Sequence, residues 1–173
     1  MPAKANALKI SRHFTESGKD PFDKLSWSKR DVEIRNFDGT IAFSMKGVTL
    51  PDNYSQVAAN VLAQKYLRKA GIPKKLRNVK EKAVPSWLQK SVPDLKSMEN
   101  LPENEKFGEE IDGKQTFRRL AGTWTYWGWK HGYFASEDDA RSYFDEMSYM
   151  LASQMVSPNS PQWFNTGLNW AYG

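Results

Sequence analysis

The feature that most constrains the fold is the apolar periodicity of the segment from about Glu137 to Val156. Apolar residues recur there at three- and four-residue spacing, which is typical of an amphipathic helix with one face against a core. Ser136 and Asp139 form an acidic variant of a capping box, and acidic residues fill the first turn, where the helix dipole favours negative charge. We therefore predict a long helix that ends before Pro158. Its apolar stripe consists of Ala140, Phe144, Met147 and Leu151.

A β-hairpin is predicted near residues 31–46. Apolar and polar residues alternate on both sides of Asp38-Gly39, and the glycine supplies the positive φ that a tight turn needs. Pro51 closes the second strand. Because the other periodic segments have helical spacing, the predicted fold class is mainly α with a small β-hairpin, an α+β fold.

Two further helices are predicted, one over about residues 53–70 and one over about 113–121. The second should end at Gly122, because glycine is unfavourable inside a helix. Between them, residues 74–106 should wind over the surface, with a short helix after Pro85. Three indoles beyond Gly122 are expected in a core, although such a cluster could also stack nucleobases. They are Trp124, Trp127 and Trp129.

Composition excludes several kinds of chemistry. The 173 residues contain no cysteine and only two histidines, His13 and His131, so disulfides, thiolate ligands and thiyl chemistry are excluded within this polypeptide. A histidine-based metal site is also not expected. No apolar run is long enough to span a bilayer and the chain starts without a signal sequence, so we expect no membrane partner and a cytoplasmic location.

The net charge of +5 is unevenly distributed. Between Lys65 and Lys90 there are nine basic residues and a single acid, Glu81. Such a basic cluster could attract nucleic acid or an acidic partner, but a solvated surface is the simpler interpretation. No nucleic-acid-binding motif accompanies it, so a nucleic-acid partner is not expected. The acidic residues Glu109, Glu110 and Asp112 are likewise interpreted as solvated surface without a role.

The last seventeen residues, Ser157–Gly173, combine turn formers with polar side chains. Pro158 and Pro161 favour an extended, turning backbone, because proline fixes its own φ and biases the preceding residue away from α. Hydroxyl and amide side chains on a stiff loop could orient a small polar ligand. A polar connection between a helix and a strand would have the same composition.

The sequence of residues 157–167, Ser-Pro-Asn-Ser-Pro-Gln-Trp-Phe-Asn-Thr-Gly, closely resembles the segment that leads into the catalytic barrel of cobalamin-dependent (class II) ribonucleotide reductases. Three other stretches resemble the amino-terminal region of this family, in the family's order. The resemblance therefore covers most of the chain from about Phe14 onward. The three stretches are residues 65–73, 120–130 and 132–134.

This resemblance implies a domain organisation. Residues 1–13 would be a flexible basic tail, and residues 14–156 an amino-terminal helical domain. Residues 157–173 would be a substrate loop and the start of the first strand of a ten-stranded α/β barrel whose remainder is absent. The chain would then be a fragment, one part of a split reductase, or a truncated reading frame.

The resemblance also implies an activity, the adenosylcobalamin-dependent reduction of ribonucleoside diphosphates to deoxyribonucleotides for DNA synthesis. In the family one cysteine carries the radical and two more form the reducing pair, which a thioredoxin-type protein regenerates. This chain has none of them, so it has no catalytic residue of its own. The cobalamin would be bound mainly by the missing catalytic part.

Ser160 is the principal substrate-binding candidate that the resemblance implies. Its hydroxyl or backbone N–H would donate to a phosphate oxygen of the ribonucleotide, with Ser157 and Gln162 as secondary candidates. The alternative role for Ser160 is a hydrogen bond that only shapes the turn between the two prolines.

The expected partners are the ribonucleotide substrate and the remaining reductase polypeptide or domain, with a homodimer of the full enzyme as a further expectation. One alternative is a free-standing basic module that binds nucleic acid through the basic cluster and the indoles, or that interacts with a reductase. Another is a regulatory fragment that occupies the docking surface of an intact reductase and inhibits it.

Overall fold

The computed structural model describes residues 7–173, and these form an α+β fold as predicted. The helices are α1 (Gln56–Val61), α2 (Glu103–Lys106), α3 (Gly113–Lys130), α4 (Glu137–Ala152), α5 (Ser160–Asn165) and α6 (Leu168–Tyr172). The strands are β1 (Trp27–Arg35), β2 (Ile41–Pro51), β3 (Ile72–Pro73), β4 (Leu76–Asn78), β5 (Ser91–Pro93) and β6 (Phe107–Gly108). A π-helical turn, Leu62–Tyr66, continues α1, and 3₁₀ turns cover Ser86–Leu88 and Lys96–Met98.

The predicted hairpin is confirmed as the antiparallel pair β1–β2, which is longer at its open end than expected. Gly39 has a φ of +84° in the turn, where glycine carries no steric penalty. The hairpin contributes four residues to the main core, which it shares with α1, α3 and α4. They are Val32, Met45, Val48 and Leu50.

Helix α3 is nine residues longer than the sequence predicts, so the expected end at Ala121 is wrong. The reason is packing. A Cβ atom on Gly122 would lie 2.2 Å from the ring of Trp170, and one on Gly128 would lie 2.7 Å from the ring of Phe134. Glycine costs about 1 kcal/mol of helix propensity, and here it permits an aromatic ring to contact the helix backbone.

Helix α4 confirms the predicted stripe, because Ala140, Phe144 and Leu151 are buried and Met147 packs against the same core. The Ser136 hydroxyl caps it by accepting a hydrogen bond from the Asp139 backbone N–H (3.1 Å). The helix ends at Ala152, earlier than expected.

The segment from α1 to residue 106 follows the sequence prediction only in part. The helix predicted over residues 53–70 is reduced to α1 and its π-helical turn, which ends at Tyr66. The short helix after Pro85 is confirmed as a 3₁₀ turn. Strands β4 and β5 pair antiparallel in the stretch that was expected to be irregular.

Residues 7–13 make defined contacts rather than a free tail, and residues 1–6 of the predicted tail lie outside the described residues. The Leu8 N–H donates to the Tyr133 carbonyl (2.7 Å) and the Ile10 N–H donates to Asp139 Oδ1 (2.7 Å). Arg12 forms an ion pair with the buried Asp145 (2.7 Å). These contacts hold this stretch beside α4. Over residues 7–173, no helix combines the length and apolar character needed to cross a membrane.

Candidate functional site

The candidate segment 157–173 is helical from Ser160 onward, so the expected barrel strand is wrong, whereas residues 157–159 lie outside any helix and Asn159 has the expected extended backbone. Pro161 lies in the first turn of α5, where its missing N–H has no intrahelical acceptor to lose and its fixed φ suits a helix. Gly167, at φ +88°, forms the turn between α5 and α6. A Cβ atom there would lie 2.3 Å from the Arg119 carbonyl oxygen, so the turn also requires glycine for space.

The two candidate serines are held by one pair of aromatic rings. The Ser160 hydroxyl lies 3.1 Å from the Tyr66 hydroxyl, and the Trp163 indole N–H donates to Ser157 Oγ at 3.2 Å. The rings of Tyr66 and Trp163 stack with their centroids 5.2 Å apart. The structure therefore brings Ser157 and Ser160 together around the Tyr66–Trp163 pair.

Both serines remain accessible to a ligand. Ser157 and Ser160 are exposed, and Gln162 is exposed on α5 beside them. A hydroxyl has one proton to donate and two lone pairs. Ser160 can therefore accept a hydrogen bond from Tyr66 and still donate its own proton to an oxygen of a bound ligand. Next to Ser157 lies a pocket of about 330 Å³, which Tyr66 and Trp163 also line.

A buried ion pair that the sequence did not predict lies beneath this segment. Arg119 is 1% exposed and Glu110 is fully buried, with Arg119 Nε 2.8 Å from Glu110 Oε1. Glu110 also accepts hydrogen bonds from the hydroxyls of Tyr172 (2.7 Å) and Thr116 (2.8 Å) and from the Arg68 N–H (2.8 Å). Burial raises the pKa of Glu110, but these hydrogen bonds and the Arg119 charge outweigh burial and leave the pKa below its ordinary value.

The expected solvated role is therefore wrong for Glu110, whereas Glu109 is exposed as expected. Asp112 has a structural role, because its side chain caps α3 by accepting from the Lys114 N–H (2.8 Å). No local pattern in the sequence signals the ion pair, because the helical periodicity rule applies to apolar residues and Arg119 is charged.

Arg119 connects the ion pair to the serine-bearing segment. Its guanidinium donates to the carbonyls of Trp163 (2.8 Å), Tyr66 (3.1 Å) and Thr166 (2.7 Å). Tyr66 and Trp163 are the residues whose side chains hydrogen-bond to the two serines. The positions of Ser157 and Ser160 therefore depend on a buried arginine that touches neither of them.

Comparison with known sequences identifies the family. The sequence model of a family described as "Class II vitamin B12-dependent ribonucleotide reductase" matches residues 28–154. The chain belongs to this family. The resemblance noted in the sequence is thereby confirmed, and the chain corresponds to the amino-terminal region of such a reductase.

The relatives of this reductase chain are much longer than the chain itself. It is 52% identical over 166 residues to the vitamin B12-dependent ribonucleotide reductase of Bradyrhizobium diazoefficiens and 53% identical to that of Agrobacterium fabrum. Each alignment covers 96% of this chain but 13% of the relative. The reductase of Streptomyces avermitilis is 32% identical over 95% of this chain and 14% of its own length. These matches do not favour a free-standing basic module.

The basic cluster of the reductase chain is mainly solvated. Of the nine basic residues between positions 65 and 90, all but Lys90 are exposed. Lys69 lies over the Phe43 ring at 4.6 Å, and Lys90 lies over the Tyr126 ring at 5.2 Å. These cations pack on aromatic faces of the same chain.

The three indoles, expected in the core, have different environments along α3. Trp124 packs against the main core, and the Trp129 N–H donates to the Ala83 carbonyl (2.6 Å). Trp127 is 50% exposed, so the core expectation is wrong for this residue.

Proposed function

We propose that the chain is the amino-terminal part of an adenosylcobalamin-dependent ribonucleoside-diphosphate reductase and contributes a substrate-binding segment, residues 157–162. Family membership supports the reductase assignment. The observation that carries the substrate role is the presentation of two exposed serine hydroxyls by the Tyr66–Trp163 pair, which Arg119 holds from beneath. A site on a rigid support loses little conformational entropy when a ligand binds.

In this proposal Ser160 accepts a hydrogen bond from Tyr66 and donates its proton to a phosphate or ribose oxygen of the ribonucleotide. Ser157, which accepts from Trp163, and the exposed amide of Gln162 make secondary contacts. These residues bind and orient the substrate. They take no part in the radical steps.

The reductive chemistry is assigned to the rest of the enzyme. Because this chain has no cysteine, the thiyl radical and the thiol pair, with their thioredoxin-type reductant, require other residues. We propose that cobalamin binds mainly to the remaining part and that the enzyme is cytoplasmic; homodimerisation of the full enzyme stays a prediction.

The test combines the chain with the remaining reductase polypeptide and measures adenosylcobalamin-dependent reduction of ribonucleoside diphosphates. Ser160→Ala and Tyr66→Phe form a matched pair, because both remove the Tyr66–Ser160 hydrogen bond and only the first removes the proposed substrate contact. We expect Ser160→Ala to raise KM about tenfold or more, the cost of a hydrogen bond to a charged group, while Tyr66→Phe has a smaller effect.

An equal effect of the two variants would mean that the hydrogen bond only shapes the turn. Absence of reduction by the wild-type assembly would contradict the reductase assignment. If the chain instead inhibits an intact reductase when added to it, the regulatory-fragment alternative is supported.

A further inference from the structure

An uncovered apolar groove of about 850 Å³ lies between α3 and α4. Phe134, Tyr143 and Met147 are among the residues that line it. Three of its lining residues are strongly exposed: Leu8 at 53%, Trp127 at 50% and Tyr133 at 57%. No Lys, Arg, Asp or Glu side chain lines it. Exposed apolar side chains that are grouped around a concave surface are typical of interaction sites.

The groove is preformed. Leu8 is fixed at its edge by two backbone hydrogen bonds, from its own N–H to the Tyr133 carbonyl (2.7 Å) and from the Ala135 N–H to its carbonyl (2.9 Å). Phe134 packs so closely on the α3 backbone that only glycine fits at position 128. Leu8 at the edge of the groove and Phe134 beside the α3 backbone are therefore held in place before any partner arrives, which reduces the entropic cost of docking.

We propose that this groove binds an apolar segment of the catalytic part of the same reductase, the polypeptide that follows residue 173 in the full-length enzyme. This proposal rests on the proposed function and specifies which surface contacts the rest of the enzyme. The chain spans 13% of the length of its relatives, so most of the reductase lies outside the structure and is available as a partner.

The position of the groove also favours this occupant. Ser157 and Pro158 line one part of it, and the same Ser157 accepts the hydrogen bond from Trp163 in the proposed substrate segment. A catalytic part docked in the groove would therefore lie next to the serines. The uncharged lining does not match a polyanion, because nucleic-acid affinity depends on cations that neutralise phosphates.

The test uses the 173-residue chain and the remaining reductase polypeptide as separate molecules and measures their dissociation constant. The double variant Trp127→Ser/Tyr133→Ser removes two aromatic anchors. Phe37→Ser is the matched control, because Phe37 is fully exposed at the hairpin turn, outside the groove. We expect the double variant to weaken association about 100-fold or more, as for buried aromatic anchors at interfaces, and the control to bind like the wild type.

A photo-crosslinking residue at position 133 gives a second measurement that does not depend on a change in affinity. We expect it to capture a peptide from the catalytic part. If the wild-type assembly reduces ribonucleotides while the double variant binds normally and position 133 captures nothing, the docking proposal is overturned and the proposed function stands. If the crosslink joins two copies of this chain, the occupant is a second copy and the docking proposal is likewise overturned. If the wild-type polypeptides neither associate nor reduce ribonucleotides, the proposed function fails as well.

Discussion

The two halves of α3 differ in how the chain accommodates their side chains. In the first half, Arg119 is a buried cation that pairs with Glu110, which lies just before the helix, and both ions have hydrogen-bond partners within the chain. In the second half, Trp127 is a large apolar side chain that the described residues leave half exposed. The first half positions the serine-bearing segment internally, whereas the second presents surface to another molecule. The contrast separates what this chain fixes by itself from what it leaves for a partner.

The largest expected effect is the loss of the buried ion pair. Arg119→Met would leave the Glu110 charge buried without its counterion and release the carbonyls of Tyr66, Trp163 and Thr166. We expect the free energy of unfolding to fall by about 3–5 kcal/mol, measured by urea denaturation. The double variant Arg119→Met/Glu110→Gln should recover part of this loss, because it removes both charges. A loss below about 1 kcal/mol in the single variant would contradict the proposed importance of the pair.

The next effect tests the close contact between α3 and α6. Gly122→Ala would place a methyl group 2.2 Å from the Trp170 ring and force α6 to move. We expect a destabilisation of about 1–3 kcal/mol, typical of overpacking. Gly108→Ala is the matched control, because a Cβ atom there meets no atom within 4 Å. Equal stability of the two variants would show that α6 tolerates displacement.

Acid should weaken the Glu110–Arg119 ion pair. The folded-state pKa of Glu110 lies below its ordinary value of 4.5, so its stabilising contribution is fully present above pH 4.5 and is lost as the pH falls through the folded-state pKa. Asp145 acts in the opposite direction, since burial raises its pKa and its contribution is lost as the pH rises through that raised value. Glu110→Gln should therefore flatten the fall in unfolding free energy below pH 4.5. If the free energy of unfolding of Glu110→Gln falls below pH 4.5 as steeply as that of the wild type, Glu110 is not the source of this acid sensitivity.

The smallest expected effect lies at the groove. Because Trp127 is half exposed, Trp127→Ser should lower the free energy of unfolding of the isolated chain by only about 1 kcal/mol, less than the loss of a fully buried ring. Thermal and urea denaturation would check this. A large loss of stability would mean that the indole contributes to the core of the chain rather than to docking.

The sequence predicted those elements whose periodicity and local chemistry agree. The stripe and cap of α4 and the Asp38-Gly39 turn depend on neighbouring residues, so a local pattern was sufficient. The end of α3 was mispredicted because Gly122 is needed inside the helix to make room for the ring of Trp170, which lies 48 positions later in the chain. Packing between distant residues outweighed local propensity there.

In the candidate site, too, contacts between residues distant in the chain were not predicted. The resemblance supplied Ser157, Ser160 and Gln162 as candidates, but the prolines were interpreted as helix breakers although Pro161 suits the first turn of α5. Glu110 was interpreted as a surface residue because it belongs to an acidic cluster with Glu109 and Asp112, and such clusters are usually solvated. Its burial follows from Arg119, Tyr172 and Arg68, whose proximity no local pattern predicts.

The most direct test of the central claim is amide hydrogen exchange in the complete reductase, with and without a saturating ribonucleoside diphosphate. The account predicts slower exchange in residues 157–162 when the nucleotide is bound, and little change in residues 167–172, which are packed against Arg119 and Glu110 in either state. Unchanged exchange in residues 157–162 in an enzyme that reduces the same nucleotide would contradict the claim that these serines bind the substrate.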